Sequence, residues 1–286
     1  MCIRDSFYNL LRPGVYAHIP QVQIVPTVHY YQTEGRLKST KRYEGVAKLF
    51  PNGDLDWSTW HAAIPFPHIA KDDPQASYKF LWNLDRNRGG FDDIFFNPVS
   101  YHLFDRNNKP ERTLVGLLWF KECYRRYTVP PIPSIPGQEH VIEKGSIVMK
   151  EPFDVKGFCG LRIRYVDPKR PDDFMTYVPT LRRVRKLSGS NTVDPIIGTD
   201  VKWEDWGCFW QKLSQDICPY ECKLLGMEIT LVPQKSYLIP YELRGNETYA
   251  KFEKRPCWVI EISYHKPDYV YSRRVYHVDM ETYGIN

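Results

Sequence analysis

The sequence predicts a mainly β protein with a few helices (α+β), built on an antiparallel meander. Two observations predict this class. From Asp92 onwards, apolar and polar residues alternate in short runs, which is typical of antiparallel strands that bury one face. Clusters of Asp, Asn, Lys and Pro separate these runs at short intervals, which favours consecutive hairpins over parallel βαβ units.

The composition is that of a globular domain rather than a disordered or fibrous chain. The 286 residues include 20 Tyr, 14 Phe and 8 Trp, and the net charge is only +5. The 23 prolines interrupt most stretches, which excludes a coiled coil or a helical bundle. The longest apolar run, Leu114 to Phe120, is far shorter than the roughly 20 residues that a membrane-spanning helix needs. The mild basic charge does not indicate a nucleic-acid partner, and we expect none.

The first predicted element is a helix that follows Asp73. This residue suits an N-cap, Pro74 suits the first helical position, and Gly89 suits the C-terminal stop. Phe80 belongs to an apolar stripe that recurs every four residues, and Trp82 adds aromatic bulk beside it. The stripe predicts either packing on a sheet or the lining of an apolar cavity.

Predicted strands follow in hairpin order. They are Val99–Phe104, Thr113–Arg125, Leu161–Val166, Phe174–Val178, Arg182–Leu187, Met227–Leu231, Trp258–Tyr264 and Val275–Met280. In the third of them, Leu161, Ile163 and Tyr165 alternate with Arg162 and Arg164. We expect the apolar three to face a core or an apolar ligand and the two arginines to face water.

A second aromatic stripe predicts a helix near Lys202–Leu213. Trp203, Trp206, Trp210 and Leu213 are spaced three, four and three residues apart, as on one face of a helix. This stripe also predicts either packing against the sheet or the lid of a cavity. The segment 127–137 contains four prolines, which favours an extended connector that crosses the sheet.

An apolar cavity between sheet and helices would be lined by residues from both. The predicted ligand-binding residues are Phe80, Trp82, Leu161, Ile163, Tyr165, Tyr177, Trp203, Trp206, Trp210, Ile229, Trp258 and Ile260. Basic residues cluster at Arg182, Arg183 and Arg185. They predict either a solvated strand face, paired with acids of a neighbouring strand, or a contact with an anionic headgroup or partner.

Motifs for common enzyme chemistry are absent from the sequence. It has no glycine-rich nucleotide-binding motif and no G-x-S-x-G nucleophile elbow, and its eight histidines are scattered. The acidic pairs at 72–73, 92–93 and 172–173 stand in turns, where Asp accepts hydrogen bonds from nearby backbone. The seven cysteines lack C-x-x-C spacing, and their pairing stays open. The leading interpretation therefore has no catalytic residue, no metal and no cofactor.

Several blocks of the sequence resemble one known family. Residues 177–188 read YVPTLRRVRKLS, and residues 194–200 read DPIIGTD before Trp203-Glu204-Asp205. Pro65-Phe66-Pro67 precedes Asp73-Pro74 and Trp82-Asn83, although the family's glycine before the first proline is missing, and residues 273–279 read RRVYHVD. From about Val46 to Tyr283, their order and spacing resemble an uncharacterised family of Gram-negative cell-envelope proteins that is described as outer-membrane lipoprotein-sorting-like.

The resemblance implies a fold similar to the periplasmic lipoprotein carriers LolA and LolB. In that fold a strongly curved antiparallel sheet, or half-open β-barrel, is covered by a few helices around an apolar cavity. The resemblance also implies a periplasmic location. It further implies a lipid or other hydrophobic small molecule as ligand, and an exporter of the resistance–nodulation–division type or an outer-membrane component as partner.

The family resemblance also bears on the two ends of the chain. Members usually begin with an export signal, whereas residues 1–6 lack its basic-then-apolar pattern and are expected to be foreign to the protein. Members also continue beyond the late strand, whereas this chain ends at Asn286. Residues 7–286 are therefore expected to form a single domain that is truncated at both ends.

Three functional hypotheses follow from these observations. The leading one is non-enzymatic binding or transport of lipid-like hydrophobic molecules in the cell envelope. The second is an enzyme that acts on an apolar substrate in the same cavity, with His277 and Asp279 as polar groups because residues i and i+2 share a strand face. The third is a structural or adaptor protein whose open sheet edge receives a partner strand.

Overall fold

The computed structural model describes residues 23–30, 32–70, 72–87, 91–105, 107, 109–187, 195–199, 201–208, 210–234, 251–267 and 269–285. The helices in these ranges are α1 (Glu34–Arg42) and α2 (Ala76–Arg86). The strands are β1 (Gln23–Ile24), β2 (Asp93–Phe104), β3 (Pro110–Glu122), β4 (Val141–Glu151), β5 (Cys159–Tyr165), β6 (Asp173–Val178), β7 (Arg183–Leu187), β8 (Tyr220–Gln234), β9 (Lys251–Tyr264) and β10 (Arg273–Asp279). The predicted mainly β fold with open, curved sheets is confirmed.

The larger sheet is an antiparallel meander of six strands. Its order, β2-β3-β4-β5-β6-β7, follows the chain, so each strand pairs with the strand before it and the strand after it. Successive turns of such a sheet lie at alternate ends. The turns after β2, β4 and β6 therefore share one end, and those after β3 and β5 share the other.

The smaller sheet is organised around β9. Strand β8 runs antiparallel along one side of β9, and β10 and the two-residue β1 pair with its other side. Helix α2 packs against this sheet, where Leu81 and Trp82 are buried together with Ile260 and Ile262. The predicted helix after Asp73 is therefore present, and its apolar stripe forms a core.

The predicted helix near Lys202–Leu213 is wrong. Only Trp203–Cys208 forms a short 3₁₀ turn, and residues 210–214 are irregular. The reason is that polar groups of this segment bind elements on both sides of it instead of a helical neighbour. Asp205 accepts hydrogen bonds from Tyr271 and Arg274 of the smaller sheet's region, while the Trp210 carbonyl accepts one from Arg164 of β5. We call residues 203–215 the bridging segment, because it joins the two sheets.

The loop between β3 and β4 does not cross the sheet, contrary to the prediction for residues 127–137. It joins two paired neighbours at one end of the sheet. The carboxylate of Asp92 anchors it by accepting hydrogen bonds from the backbone N–H groups of Tyr127, Thr128 and Val129. Within the part of the chain that the structure describes, no helix is long and apolar enough to span a bilayer.

Candidate functional site

The six-stranded sheet carries a partly exposed apolar surface on one of its faces. Directly paired residues of antiparallel strands point to the same face, so the register defines its members. They are Phe95, Leu117, Trp119, Val148, Leu161, Ile163, Met175, Tyr177 and Val184, and we call this surface the open face. Its side chains are half-buried or exposed, with Phe95 62% and Val184 66% exposed.

The opposite face of the same sheet is filled by aromatic side chains of the bridging segment. Gly145 and Gly160 lie on this face, and a Cβ placed on either would come within 3 Å of the Trp210 or Trp203 ring. The two glycines therefore form recesses that admit the indoles. Trp203 and Trp210 are only 3% and 1% exposed, so the sheet has one packed face and one open face.

The open face is apolar toward one end of the sheet and charged toward the other. One transverse row contains Leu117, Val148, Tyr177 and Val184, and it lies nearer the turns that follow β4 and β6. A row at the other end contains Lys121, Lys144, Ile163 and Asp173. Four residues along a strand separate Val148 from Lys144, which corresponds to roughly 13 Å.

Two lysines lie side by side in the charged row. Lys121 of β3 pairs directly with Lys144 of β4, and like charges in this position repel each other. Their acidic neighbours in the row are engaged elsewhere, because Asp93 binds Arg126 and Asp173 binds Lys186. No carboxylate among the described residues forms an ion pair with either lysine. An anionic group at this point of the open face would relieve the repulsion.

The sequence-predicted ligand residues divide among three places. Leu161, Ile163 and Tyr177 lie on the open face, as a ligand-facing role requires. Trp203 and Trp210 are buried on the packed face, and the side chain of Trp206 lies outside the described residues. Phe80, Trp82, Ile229, Trp258 and Ile260 belong to the smaller sheet and its helix. Among the side chains that the structure describes, these residues therefore do not line a single cavity.

The five residues of the smaller sheet and its helix are used mostly in packing. Ile260 is fully buried, and Trp82 is buried while its indole N–H donates to the Gly53 carbonyl. The Phe80 ring lies 4.8 Å from that of Trp258. Ile229 alone is largely exposed, at 47%. The first aromatic stripe therefore packs against the smaller sheet.

Tyr165 has the same strand parity as Leu161 but is covered by loops. The ring stacks on His140, with centroids 6.1 Å apart, and the Arg170 guanidinium lies over it. Its hydroxyl donates to Asp173, and burial together with this bond raises the pKa of Tyr165 to about 12. Tyr165 therefore closes the charged end of the open face.

The expected water-facing position of Arg162 and Arg164 is wrong. Both lie on the packed face and are about 1–2% exposed. Arg162 donates to Asp172 through Nε at 2.9 Å, and Arg164 Nε lies 3.3 Å from the same carboxylate. Burial would raise the pKa of Asp172, but the two arginines and Lys212 hold it below its ordinary value. A carboxylate from the adjacent turn thus makes burial of the arginines tolerable.

The three arginines predicted to contact a headgroup or a partner are exposed but differently placed. Arg182 lies in the turn before β7 with φ 48°, in the left-handed region. Arg183 pairs with Val178 and Arg185 with Thr176, so both point away from the open face. The register therefore does not place Arg183 or Arg185 beside a ligand that lies on that face. Lys121 and Lys144, by contrast, are basic residues that the register places on the open face itself.

The polar pair proposed for an enzyme is engaged in structural contacts. Asp279 accepts hydrogen bonds from Arg255 and from the backbone N–H groups of Glu281 and Thr282. His277 Nδ1 lies 3.3 Å from the Thr230 hydroxyl. Both side chains share one face of β10, as the spacing predicts, but Asp279 is 2% exposed. The described residues contain no cluster of three or more metal-ligating side chains, and Cys123, Cys159, Cys218 and Cys222 are free thiols.

Sequence reasoning missed strand β4, and with it Lys144, Val148 and the Gly145 recess. The strand reads VIEKGSIVMKE, in which buried Glu143 and Gly145 break the usual apolar alternation. The signal that could have found it is the short apolar run of Ile147, Val148 and Met149, which Ser146 and Lys150 flank.

Fold and site together define a class: a mainly β protein with an antiparallel meander, one packed face and one open apolar face. The sequence profile of the family described as "Protein of unknown function (DUF1329)" matches residues 5–286, so the chain belongs to this family. No curated protein matches the sequence significantly.

Solved structures with similarity to this chain include three bacterial proteins. A DUF1329 family protein from Desulfovibrio piger has 21% sequence identity and a TM-score of 0.49, over 74% of this chain and 70% of that chain. A putative outer membrane lipoprotein-sorting protein domain from Vibrio parahaemolyticus has 16% identity and a TM-score of 0.47, over 72% and 68%. A LolA superfamily protein from Nitrosomonas europaea has 12% identity and a TM-score of 0.37, over 73% and 68%.

Proposed function

We propose that this protein binds and carries lipid-like amphiphiles on the open face, without catalysing a reaction. The observation that carries the proposal is the surface of half-buried and exposed apolar side chains that crosses all six strands of one sheet. Soluble proteins rarely leave so continuous an apolar surface to water unless it binds something. An acyl chain that buries roughly 300 Å² of apolar surface would gain roughly 7 kcal/mol before the costs of association.

The charge distribution favours an anionic headgroup at the Lys121–Lys144 end. The apolar body of the ligand would lie along the strands and contact Leu161 and Tyr177, and its headgroup would relieve the repulsion between the lysines. Such a ligand needs no reacting group from the protein. The family resemblance supports a location in the cell envelope, where a carrier would deliver its ligand to an exporter or to an outer-membrane component.

Binding of a fluorescent fatty acid tests this function. Leu161→Asp places a carboxylate in the middle of the apolar surface, and a bound acyl chain would have to desolvate it. We expect the affinity of this variant to fall more than tenfold, because the lost apolar contact and the buried charge add. Lys144→Ser should lower the affinity about tenfold by removing a charge-assisted bond to the carboxylate.

Val275→Asp is the matched control, because Val275 is 42% exposed on a strand of the smaller sheet. It should leave fatty-acid affinity unchanged. Lipid extraction and mass spectrometry of the purified protein give an independent readout. Repeated recovery of lipid-free protein that takes up no fatty acid would rule out the proposed function.

A further inference from the structure

The open face is apolar toward one end of the larger sheet. That end carries two neighbouring turns with exposed apolar tips. These turns, residues 152–158 after β4 and 179–182 after β6, share one end because turns of a meander alternate. They lie next to each other, since a Cβ added to Gly157 would lie 3.4 Å from the Pro179 ring. Phe153 is 92% exposed, and Leu181 is 46% exposed. We call residues 152–158 and 179–185 the turn end.

Basic side chains surround these apolar tips. Lys156, Arg182, Arg183 and Arg185 are all exposed. The carboxylate of Asp154 between them is paired with Arg112. The turn end therefore combines protruding apolar side chains with an excess of positive charge.

The backbone of Arg182 adds a second observation. Its φ of 48° lies in the left-handed region, where a residue with a Cβ is disfavoured and glycine or asparagine is common. This conformation closes the turn and places a charged side chain, rather than a glycine, at the tip.

We propose that the turn end docks on the surface of an anionic lipid bilayer. Phe153 and Leu181 would enter the interfacial region of the bilayer, where exposed aromatic and aliphatic side chains gain apolar contact. Arg182 and Arg183 would contact phosphate headgroups, and such contacts strengthen with the negative surface potential of the membrane. Short separate loop tips suit a fluid bilayer better than a fixed protein pocket.

The polarity of the open face agrees with this orientation. Its apolar row of Val148 and Tyr177 lies next to the turn end, and Lys121 and Lys144 lie at the far end. A lipid that leaves the bilayer headgroup first would bring its headgroup to the lysines while its acyl chains still point toward the membrane. Docking itself requires no bound ligand, so this inference goes beyond the proposed function.

Co-sedimentation with vesicles tests the inference. We expect the protein to bind vesicles of phosphatidylglycerol and phosphatidylethanolamine at low salt, and to bind vesicles of phosphatidylcholine alone much more weakly. Phe153→Ser should lower the partition coefficient about tenfold, as expected for one lost aromatic insertion. The double variant Arg182→Ser/Arg183→Ser should lower it by about fivefold for each arginine.

Two controls match these variants outside the turn end. Leu225→Ser removes an apolar side chain that is 55% exposed on β8, and Lys254→Ser removes an exposed charge on β9. Both should bind vesicles as the unaltered protein does. Equal binding to both vesicle types, no binding to either, or equal losses in variants and controls would overturn the inference. Fatty-acid affinity measured on Phe153→Ser separates the two proposals, because it should stay unchanged.

Discussion

At the residue scale, the placement of charge differs most from what the sequence predicts. Arg162 and Arg164 alternate with apolar residues, and alternation alone assigns them to water. They are buried because Asp172 from the next turn and the Trp210 carbonyl meet them there. Burial and the neighbouring Arg164 lower the pKa of Arg162 to about 10. Partners that come from distant segments leave no periodic trace in the sequence.

Asp172→Asn is expected to lower the free energy of unfolding by about 3–5 kcal/mol, because it removes the carboxylate bound to buried Arg162 and one of three carboxylates near buried Arg164. Urea unfolding measures this loss. Asp154→Asn is the control, because Asp154 is 63% exposed in its pair with Arg112. It should cost at most about 1 kcal/mol. Similar losses in the two variants would show that burial of the Asp172 pair does not matter.

The raised pKa of Tyr101 makes the free energy of unfolding depend on pH in the alkaline range. Burial beside Leu114 and Met149 raises the pKa of Tyr101 to about 12. The folded chain therefore keeps this proton between pH 10 and pH 12, while the unfolded chain loses it. The protonated Tyr101 therefore makes its full contribution to the free energy of unfolding below about pH 10, and this contribution is lost as the pH rises toward 12.

Tyr101→Phe should therefore reduce the loss of stability between pH 8 and pH 11 by about 1 kcal/mol, with little change at pH 8. Urea unfolding at the two values of pH gives the difference. Tyr177→Phe, at an exposed position, controls for the loss of one phenol. An unchanged pH dependence in Tyr101→Phe would contradict the argument.

At the element scale, hairpin order is predictable and the role of the bridging segment is not. Strands β2, β3, β5, β6 and β7 fall where alternation and turn residues place them. Trp203 and Trp210 belong to a stripe with helical spacing in the sequence, yet their indoles fill recesses on two strands. Spacing predicted an aromatic stripe, but tertiary contacts decided the backbone conformation.

Gly160→Ala tests the recess for Trp203. A Cβ at this position would lie 2.3 Å from the indole, so the ring must move. We expect a loss of about 1–3 kcal/mol in the free energy of unfolding and a change in near-ultraviolet circular dichroism. Ser146→Ala, on the neighbouring strand but pointing to the open face, should leave the aromatic signal as it is. An unchanged spectrum in Gly160→Ala would disprove the recess.

At the scale of the whole molecule, the sequence predicts the fold class but not which face of the larger sheet stays open. Its one-sided strands indicate a sheet with an apolar surface, and Leu161, Ile163 and Tyr177 do lie on it. Which of two faces stays open depends on where the bridging segment packs. That choice is made by Gly145 and Gly160 on two strands, and hence by contacts that no local pattern contains.

The basic edge strand β7 has a further consequence, for self-association. Among the described residues β7 pairs only with β6, which makes it the last strand of the described meander. Exposed Arg183, Arg185 and Lys186 repel a second copy that approaches edge to edge, which is a common protection against aggregation. Polyanions or high salt would weaken this repulsion. Colloidal stability in solution and attraction to anionic surfaces therefore depend on some of the same charges.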